Sequence, residues 1–466
     1  MDVGRRALLK GGAATLAAAA AGRAGRARAA VTERPLVSDP RGVLDLPEGF
    51  SYSIVQRWGI AMDDGYRVPA RPDAMGCFPG GPGELVLMRN HEMLVGGEAG
   101  SPYFPGQPPP PEAFDPKGTG GVTRLVLDAE TLKLKSSNLV LAGTYWNCAG
   151  GHSPWGWLSC EETSEPGHGY VFLCDPKAEG VAPARRIGAY GRMRHEAATV
   201  HPETMVAYLT EDRPDACFYR FVPDDPASPF EGKLQALRVR GKPRYELGLA
   251  PLRRSLAIDW VDLPQPLSDS DDLRLQAQAL GAARVRRGEG LWLAGDTLYF
   301  CATAGGPIGL GQVLRVQLTG GENVEVVAHS ENPESLNMPD NITVSPGGQV
   351  YVAEDGMMLR NHIRRITPEG RVVDFARNAL SASEFCGICF SPDGGTMFAN
   401  LQGDGLTLAI RGPFDEEPRV DVELGAAVER AEERGPDYSL AGRGLGTGLA
   451  VIALAALAHR RRVARK

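Results

Sequence analysis

The segment SPGGQVYVAED (345–355) places a proline–glycine turn before a short apolar strand and ends on an acidic pair. The same order of turn, strand and polar ending recurs in five other segments, at intervals of about 45 to 90 residues. These segments are GGPGELVLMRNHE (80–92), SPWGWLSCEE (153–162), HPETMVAYLTED (201–212), GDTLYFCAT (295–303) and SPDGGTMFANLQ (391–402). Repeats of this length with several strands each are typical of β-propellers. The sequence therefore predicts an all-β fold, a six-bladed β-propeller with long inter-strand loops.

The acidic residues that end these strands indicate a shared metal site. In a propeller the inner strand of each blade follows the central channel, so equivalent strand ends converge at one mouth. Clustered carboxylates repel one another and are stable only with cations among them. Each acid could instead end its strand on a solvated rim, but the recurrence in four repeats favours the metal site. The candidate ligands from the strand ends are Glu92, Glu161, Glu162, Glu211, Asp212, Glu354 and Asp355.

The stretch NCAGGHSPWGWLSCEE (147–162) adds a thiol to this set. Cys148 lies thirteen and fourteen residues before the adjacent acids Glu161 and Glu162. A mixed metal site would use both, because thiolate is a soft ligand and carboxylate a hard one. The alternative for Cys148 is a small buried residue beside closely packed glycines. The pair Cys386 and Cys389 is interpreted as buried and structural, since cysteine is often fully buried.

The charge of the chain is distributed unevenly. The net charge of all 466 residues is -7, but residues 1–29 and 441–466 each hold six basic side chains. Without these tails the body holds 38 basic and 56 acidic side chains, so its net charge is -18. Such a body is a poor binder of nucleic acid, and it repels an anionic substrate unless bound cations reverse the local field.

Both ends of the chain have the features of targeting segments. Residues 1–29 contain the twin arginine Arg5 and Arg6, an alanine-rich run and a small-residue cleavage pattern, which predict a Tat signal peptide. Residues 30–425 are the predicted propeller domain, and 426–444 are a charged linker. Residues 445–466 join a short apolar run to a basic cluster, which favours a membrane or sorting tail over a buried core helix. We therefore expect export through the Tat machinery to the periplasm or cell envelope, with the tail at the membrane.

Five motifs follow one another along the body of the chain. They are MRNHE (88–92), NCAGG…PWGWLSCEE (147–162), RHEAATVHPETMVAYLTEDR (194–213), PDNITVSPGGQVYVAED (339–355) and EFCGICFSPDGGTMFANLQ (384–402). They span about residues 40–410, and their combination is more specific than any one of them. In this order they resemble the motifs of the PhoX-type alkaline phosphatases. The resemblance implies a Tat-exported propeller that hydrolyses phosphate monoesters at a centre of Fe³⁺ and Ca²⁺ ions.

The resemblance also implies roles for single residues. Cys148 would be the thiolate ligand of iron, and Cys148, Glu196 and Arg194 would be the catalytic residues. Arg194 could bind phosphate bidentately or neutralise neighbouring acids, and these two interpretations stay open. The implied metal ligands are Cys148, Glu92, Glu161, Glu162, Glu196, Glu211, Asp212, Asp340, Asn341, Glu354 and Asp355.

The family pattern has one more residue between Gly156 and Trp157 than this chain has. Side chains alternate along a strand, so a change of one residue exchanges the two faces. The sequence therefore leaves open whether Glu161 or Glu162 faces the metals.

Three functions fit these patterns. The first is a metal-dependent phosphomonoesterase, because a cluster of cations can clamp a phosphate and stabilise its transfer. The second is a calcium-dependent hydrolase of another ester, such as a phosphodiester or a lactone, which would not need Cys148. The third is a non-catalytic, calcium-binding propeller tethered to a membrane. We expect a monomer that binds no nucleic acid and, for the first function, a small phosphate ester as substrate.

Overall fold

The computed structural model describes residues 34–94, 99–356 and 360–414. The predicted signal peptide, the linker, the C-terminal tail and the last residues of the predicted domain lie outside these ranges. The regular secondary structure of the described residues is almost entirely β-strand, with one short α-helix, α1 (Leu273–Ala279), and two single-turn 3₁₀ segments, Gly188–Tyr190 and Leu247–Leu249. Within the described ranges, no helix has both the length and the apolar character needed to cross a membrane.

Most strands of the first half of the chain follow one another as antiparallel meanders. They are β1 (Leu36–Val37), β2 (Leu44–Pro47), β3 (Ser51–Arg57), β4 (Pro72–Pro79), β5 (Glu84–His91), β6 (Gly120–Asp128), β7 (Leu134–Thr144), β8 (Asn147–Ser153), β9 (Gly156–Glu161), β10 (Val171–Cys174), β11 (Arg185–Ile187), β12 (His195–Val200), β13 (Ala207–Glu211), β14 (Phe218–Pro223), β15 (Gly232–Val239) and β16 (Leu256–Asp262).

The second half continues the same arrangement. Its strands are β17 (Gly288–Ala294), β18 (Thr297–Ala302), β19 (Gln312–Gln317), β20 (Asn323–His329), β21 (Pro339–Val344), β22 (Val350–Glu354), β23 (His362–Ile366), β24 (Val372–Asn378), β25 (Phe385–Phe390), β26 (Thr396–Leu401) and β27 (Leu406–Arg411). In chain order, the meanders are β4–β7, β8–β11, β12–β16, β17–β20, β21–β24 and β25–β27, and we call them blades one to six.

The blades hydrogen-bond into five sheets within the described residues. Blades three and four share one nine-stranded sheet, because β16 pairs with β20. This link consists of only two residue pairs. The short strands β1 and β2 extend blade five beside β24. Strand β3, from the N-terminal side of the domain, pairs with β27 and completes blade six. The last blade therefore contains strands from both ends of the described chain.

The first strands of the six blades form a closed ring. β4, β8, β12, β17, β21 and β25 each pack against the next, and β25 packs against β4. This ring is the centre of a β-propeller, so the predicted fold class is confirmed. Gly387 on β25 permits the closure, since its φ is +63° and a Cβ there would lie 2.3 Å from the carbonyl oxygen of Asp73 on β4.

Buried aromatic residues fill the space between neighbouring blades. Phe218 of β14 stacks on Phe300 of β18, with ring centroids 4.6 Å apart. Trp157 of β9 is fully buried, and its indole nitrogen donates to the side-chain oxygen of Asn90 on β5 at 2.8 Å. Such interdigitated faces fix each blade against the next, which in turn fixes the positions of the first strands.

Candidate metal centre

The second residue of each first strand has a metal-ligand side chain. We call these six residues the inner ring: Asp73, Cys148, Glu196, Glu289, Asp340 and Cys386. In all six first strands the register with the second strand shifts next to this residue, which is the mark of a β-bulge. A bulge bends its strand and changes the direction of a side chain. The same irregularity thus recurs at the same place in every blade, beside every inner-ring residue.

The residues that follow the second strands form a further set next to the inner ring. We call these residues the outer ring: Glu92, Glu162, Asp212, Thr303, Asp355 and Gln402. Gln402 bridges the two rings, because its amide nitrogen donates to Asp73 at 2.7 Å and to Glu92 at 3.0 Å. The outer ring thus includes four of the strand-end acids that recur in the sequence, Glu92, Glu162, Asp212 and Asp355.

Backbone carbonyls of the inner ring are held by the neighbouring blade. Asn90, two residues before Glu92, donates to the carbonyl oxygens of Cys148 at 3.1 Å and Ala149 at 2.7 Å. Asn400 and Thr210 occupy the same position in their blades. They donate to the carbonyl oxygens of Asp73 and Glu289, respectively, both at 2.6 Å. In three blades, therefore, the same side-chain-to-carbonyl hydrogen bond positions an inner-ring residue of the next blade.

The two rings bring three groups of ligand atoms together. Within each group, the ligand atoms lie within 4.8 Å of one another. The groups are Glu92 with Cys148 and Glu162, Glu196 with Glu289 and Asp340, and Asp340 with Asp355 and Glu384. The first group contains a thiol, whereas the other two offer only carboxylate oxygens. Since Asp340 belongs to two groups, the second and third groups adjoin.

Glu196 provides the sharpest test of whether this cluster fits cations. Its side chain is 1 % exposed, and neither carboxylate oxygen has a hydrogen-bond partner among the described residues. A buried carboxylate without a partner is strongly destabilising unless it is protonated or coordinates a metal. The donor set therefore fits bound cations.

The charges of the cluster lead to the same conclusion. Its nine carboxyl groups face only three guanidinium groups among the described residues. The acids are Asp73, Glu92, Glu162, Glu196, Asp212, Glu289, Asp340, Asp355 and Glu384, and the bases are Arg71, Arg194 and Arg287. Three arginines cannot balance nine acids, so further cations or protons are required.

The pKa values of the cluster reflect this excess of acids. Burial, followed by the charges of Glu289 and Asp340, raises the pKa of Glu196 well above its ordinary value. Burial and Asp212 raise the pKa of Glu289 to about 8 against the opposing effect of Arg287. Burial and the neighbouring carboxylates also raise the pKa of the Cys148 thiol. Each shift disfavours the charged form, and a bound cation would oppose all of them.

The family to which the chain belongs follows from its sequence as a whole. The model of the family described as alkaline phosphatase PhoX matches residues 31–138 and 127–405. The chain belongs to the PhoX alkaline phosphatase family. It is thus an alkaline-phosphatase-type phosphoester hydrolase, and the predicted family and enzyme class are confirmed. No curated protein matches this sequence.

A solved structure shares the fold of this PhoX-family chain. The structure of Pseudomonas fluorescens PhoX in complex with vanadate, a transition-state analogue, is 18% identical with a TM-score of 0.61. The match covers 82% of this chain and 97% of that one. A gluconolactonase from Xanthomonas campestris, XC5397, is 13% identical with a TM-score of 0.40, over 82% of this chain and 98% of that one. At 18% identity, the likeness to the Pseudomonas structure shows the fold alone.

The structure of this chain places six of the predicted ligands in the three groups. They are Glu92, Cys148, Glu162, Glu196, Asp340 and Asp355. Asp212 lies in the outer ring, where Arg287 holds both its oxygens at 2.9 and 3.0 Å. Asn341, the residue after Asp340, instead accepts a hydrogen bond from the Ile388 amide at 2.9 Å. Arg194, the predicted catalytic arginine, contacts Glu162.

Three other predicted ligands lie outside the groups, and each is the last residue of a second strand. Their carboxylates have local partners. Glu161 accepts from His168 Nδ1 at 2.7 Å, and Glu211 from the Tyr219 hydroxyl at 2.6 Å. Glu354 accepts from Arg364 Nε at 2.7 Å. Because neighbouring residues face opposite ways, the structure brings Glu162, and not Glu161, to the Cys148 group.

The sequence-based prediction missed three residues of the cluster, which are Asp73, Glu289 and Glu384. They lie in or just before a first strand, whereas the repeat was traced along the second strands. A usable signal exists for Asp73, because Pro72-Asp73 repeats the Pro339-Asp340 dipeptide at the same position of its strand.

Proposed function

We propose that this PhoX-family protein hydrolyses phosphate monoesters at a mixed centre of iron and calcium ions. The observation that carries the proposal is the meeting of one thiol-containing group with two carboxylate-only groups in a single, partly buried cluster. When bound, the cations would neutralise the phosphate charge and promote attack on phosphorus. Membership of the family described as alkaline phosphatase PhoX supports the reaction class.

The ligand chemistry of the groups supports the choice of metals. Cys148 with Glu92 and Glu162 would hold iron, because thiolate suits a softer transition metal. The two adjoining groups around Asp340 would hold calcium, which takes oxygen ligands only. Asp73 lies beside the Cys148 thiol, which donates to its carboxylate at 3.7 Å, and Gln402 fixes that carboxylate. These contacts orient the thiol toward the cluster.

Elemental analysis and calcium chelation test the proposal together. Purified protein should contain both iron and calcium, and a thiolate–ferric bond should give it a visible colour. Chelation of calcium should abolish hydrolysis of a monoester, and added calcium should restore it, since oxygen ligands exchange readily. A colourless, iron-free protein that still hydrolyses an ester would overturn the iron assignment and favour a hydrolase that depends on calcium alone. Bound calcium without any turnover would favour a non-catalytic propeller.

We also propose that Tat export delivers the protein to the cell envelope and that residues 445–466 hold it at a membrane. The twin arginine and the basic C-terminal cluster support this proposal. Protein from the envelope should begin near Ala30 on N-terminal sequencing, and deletion of residues 440–466 should release active, soluble enzyme. Retention of Arg5 and Arg6 in the mature protein would contradict the Tat assignment.

A further inference from the structure

Two arginines are anchored in the same way on either side of the Cys148 strand. Arg71 donates from Nε to the carbonyl oxygen of Glu92 at 2.8 Å and from Nη2 to the Glu92 carboxylate. Arg194 repeats this pattern on Glu162, with Nε 3.3 Å from the carbonyl oxygen and Nη2 on the carboxylate. Arg71 precedes β4 and Arg194 precedes β12, so β8, which carries Cys148, lies between them.

The anchors leave one edge of each guanidinium group available. Among the described residues, neither Arg71 nor Arg194 has a hydrogen bond from Nη1. The arginine side chains are 38% and 25% exposed, whereas those of Glu92 and Glu162 are each 8% exposed. The guanidinium groups therefore lie on the solvent side of the carboxylates, where an incoming anion meets them first.

The third arginine of the cluster is engaged differently. Arg287 uses Nε and Nη2 on the two oxygens of Asp212, and Nη2 also contacts Glu289 at 2.5 Å. Neither of these acids belongs to the Cys148 group. Arg71 and Arg194 are thus the two guanidinium groups that share their acids with the thiol.

We infer that Arg71 and Arg194 bracket the terminal oxygens of a phosphate monoester and select it over a phosphodiester. This inference rests on the proposed function, which it deepens by assigning the substrate class to two residues. A monoester dianion has three terminal oxygens, so two can accept from the arginines while the third faces the Cys148 group. A diester has two terminal oxygens and one charge, and it cannot satisfy both arginines and the cluster together. Arginine suits this role because its planar fork is fixed by the two anchoring bonds.

Binding of inorganic phosphate and of dimethyl phosphate tests the bracket without turnover. Calorimetry on the full chain, with iron and calcium contents verified for every variant, would compare wild type with Arg71→Gln and Arg194→Gln. Each variant should weaken phosphate binding roughly tenfold or more, because a charge-assisted hydrogen bond is lost. Binding of dimethyl phosphate should change by no more than about twofold. The KM for a monoester should rise, and the preference for monoester over diester should fall.

The matched control is Arg238→Gln, which breaks an arginine–carboxylate pair with Asp259 at 2.8 Å in the outer part of blade three. It should leave the affinity for phosphate unchanged. Arg71→Lys keeps the charge but loses the fork, so it should retain the fold and still bind phosphate more weakly than wild type. Unchanged phosphate affinity in the two glutamine variants, an equal loss for both anions, or a fall in metal content would overturn the bracket. The proposed function fails separately, if wild-type protein lacks iron or turns over no monoester.

Discussion

Replacement of Cys148 with alanine should remove phosphatase activity, by at least about two orders of magnitude, together with the iron and its colour. A bound cation contributes several kcal/mol to the stabilisation of a phosphoryl-transfer transition state, which corresponds to a loss of this size. Cys148 is the only thiol in the group with Glu92 and Glu162. The measurements are monoester hydrolysis, iron content and the visible spectrum of the purified variant.

Cys174→Ala is the matched control. Cys174 is a buried thiol on β10, in the same blade as Cys148, and it belongs to none of the three ligand groups among the described residues. The control should retain iron, colour and activity, with at most a modest loss of stability from the smaller side chain. If Cys148→Ala retains its iron and its turnover, the thiol is a packing residue and the mixed centre is wrong.

Glu196→Gln should lower activity by about two orders of magnitude and yet stabilise the chelated protein by about 1 kcal/mol or more. The loss follows from removal of a charged ligand, and the gain from removal of a buried charge that has no hydrogen-bond partner among the described residues. The folded-state pKa of Glu196 is raised, so its charged form costs stability above the ordinary pKa of 4.5. The gain in the variant should therefore be largest at neutral pH and vanish near pH 4, as thermal unfolding in chelator can show.

The same substitution at Glu354 should have the opposite effect on stability. Glu354 is equally buried, but it accepts hydrogen bonds from the amides of Asn337 and His362 and from Arg364. Glu354→Gln should destabilise the protein by about 2 kcal/mol, since it weakens charge-assisted bonds, while the metal content stays unchanged. If both variants destabilise the chelated protein alike, Glu196 is a structural carboxylate and its role as a ligand is contradicted.

The sequence predicts the propeller and part of its centre for one reason, which is the repetition of strand and acid. The repeated ending of the second strands points to Glu92, Glu162 and Asp355, and the structure brings these three acids into the groups of candidate ligand atoms. It cannot separate Glu161 from Glu162, because the face of each side chain depends on register, and register is set by pairing with another strand. Glu211 and Glu354 illustrate the same limit, since each has the right residue type on the opposite face of its strand.

The inner ring shows a second limit of the sequence. Its residues follow no common pattern of letters, because aspartate, glutamate and cysteine all occupy the same structural position. What they share is the bulge beside them, and a bulge is a property of two paired strands rather than of one segment. Cys386 demonstrates this, since it is buried, as the sequence indicates, but its place in the ring beside Glu384 is visible only in the structure.

The pairing of β3 with β27 also determines when the residues of the metal-binding cluster can come together. Strand β3 can pair only after β27, which ends at Arg411, has been made. The chain between these two strands forms all the other blades. Contacts between residues so distant in sequence form slowly, because a long loop must first be closed. The cluster takes residues from every blade, so a chain that ends before Glu384 lacks this ligand and its neighbours Cys386 and Gln402. The complete set of candidate ligands therefore comes together only when the ring closes, and bound metal would report on that closure.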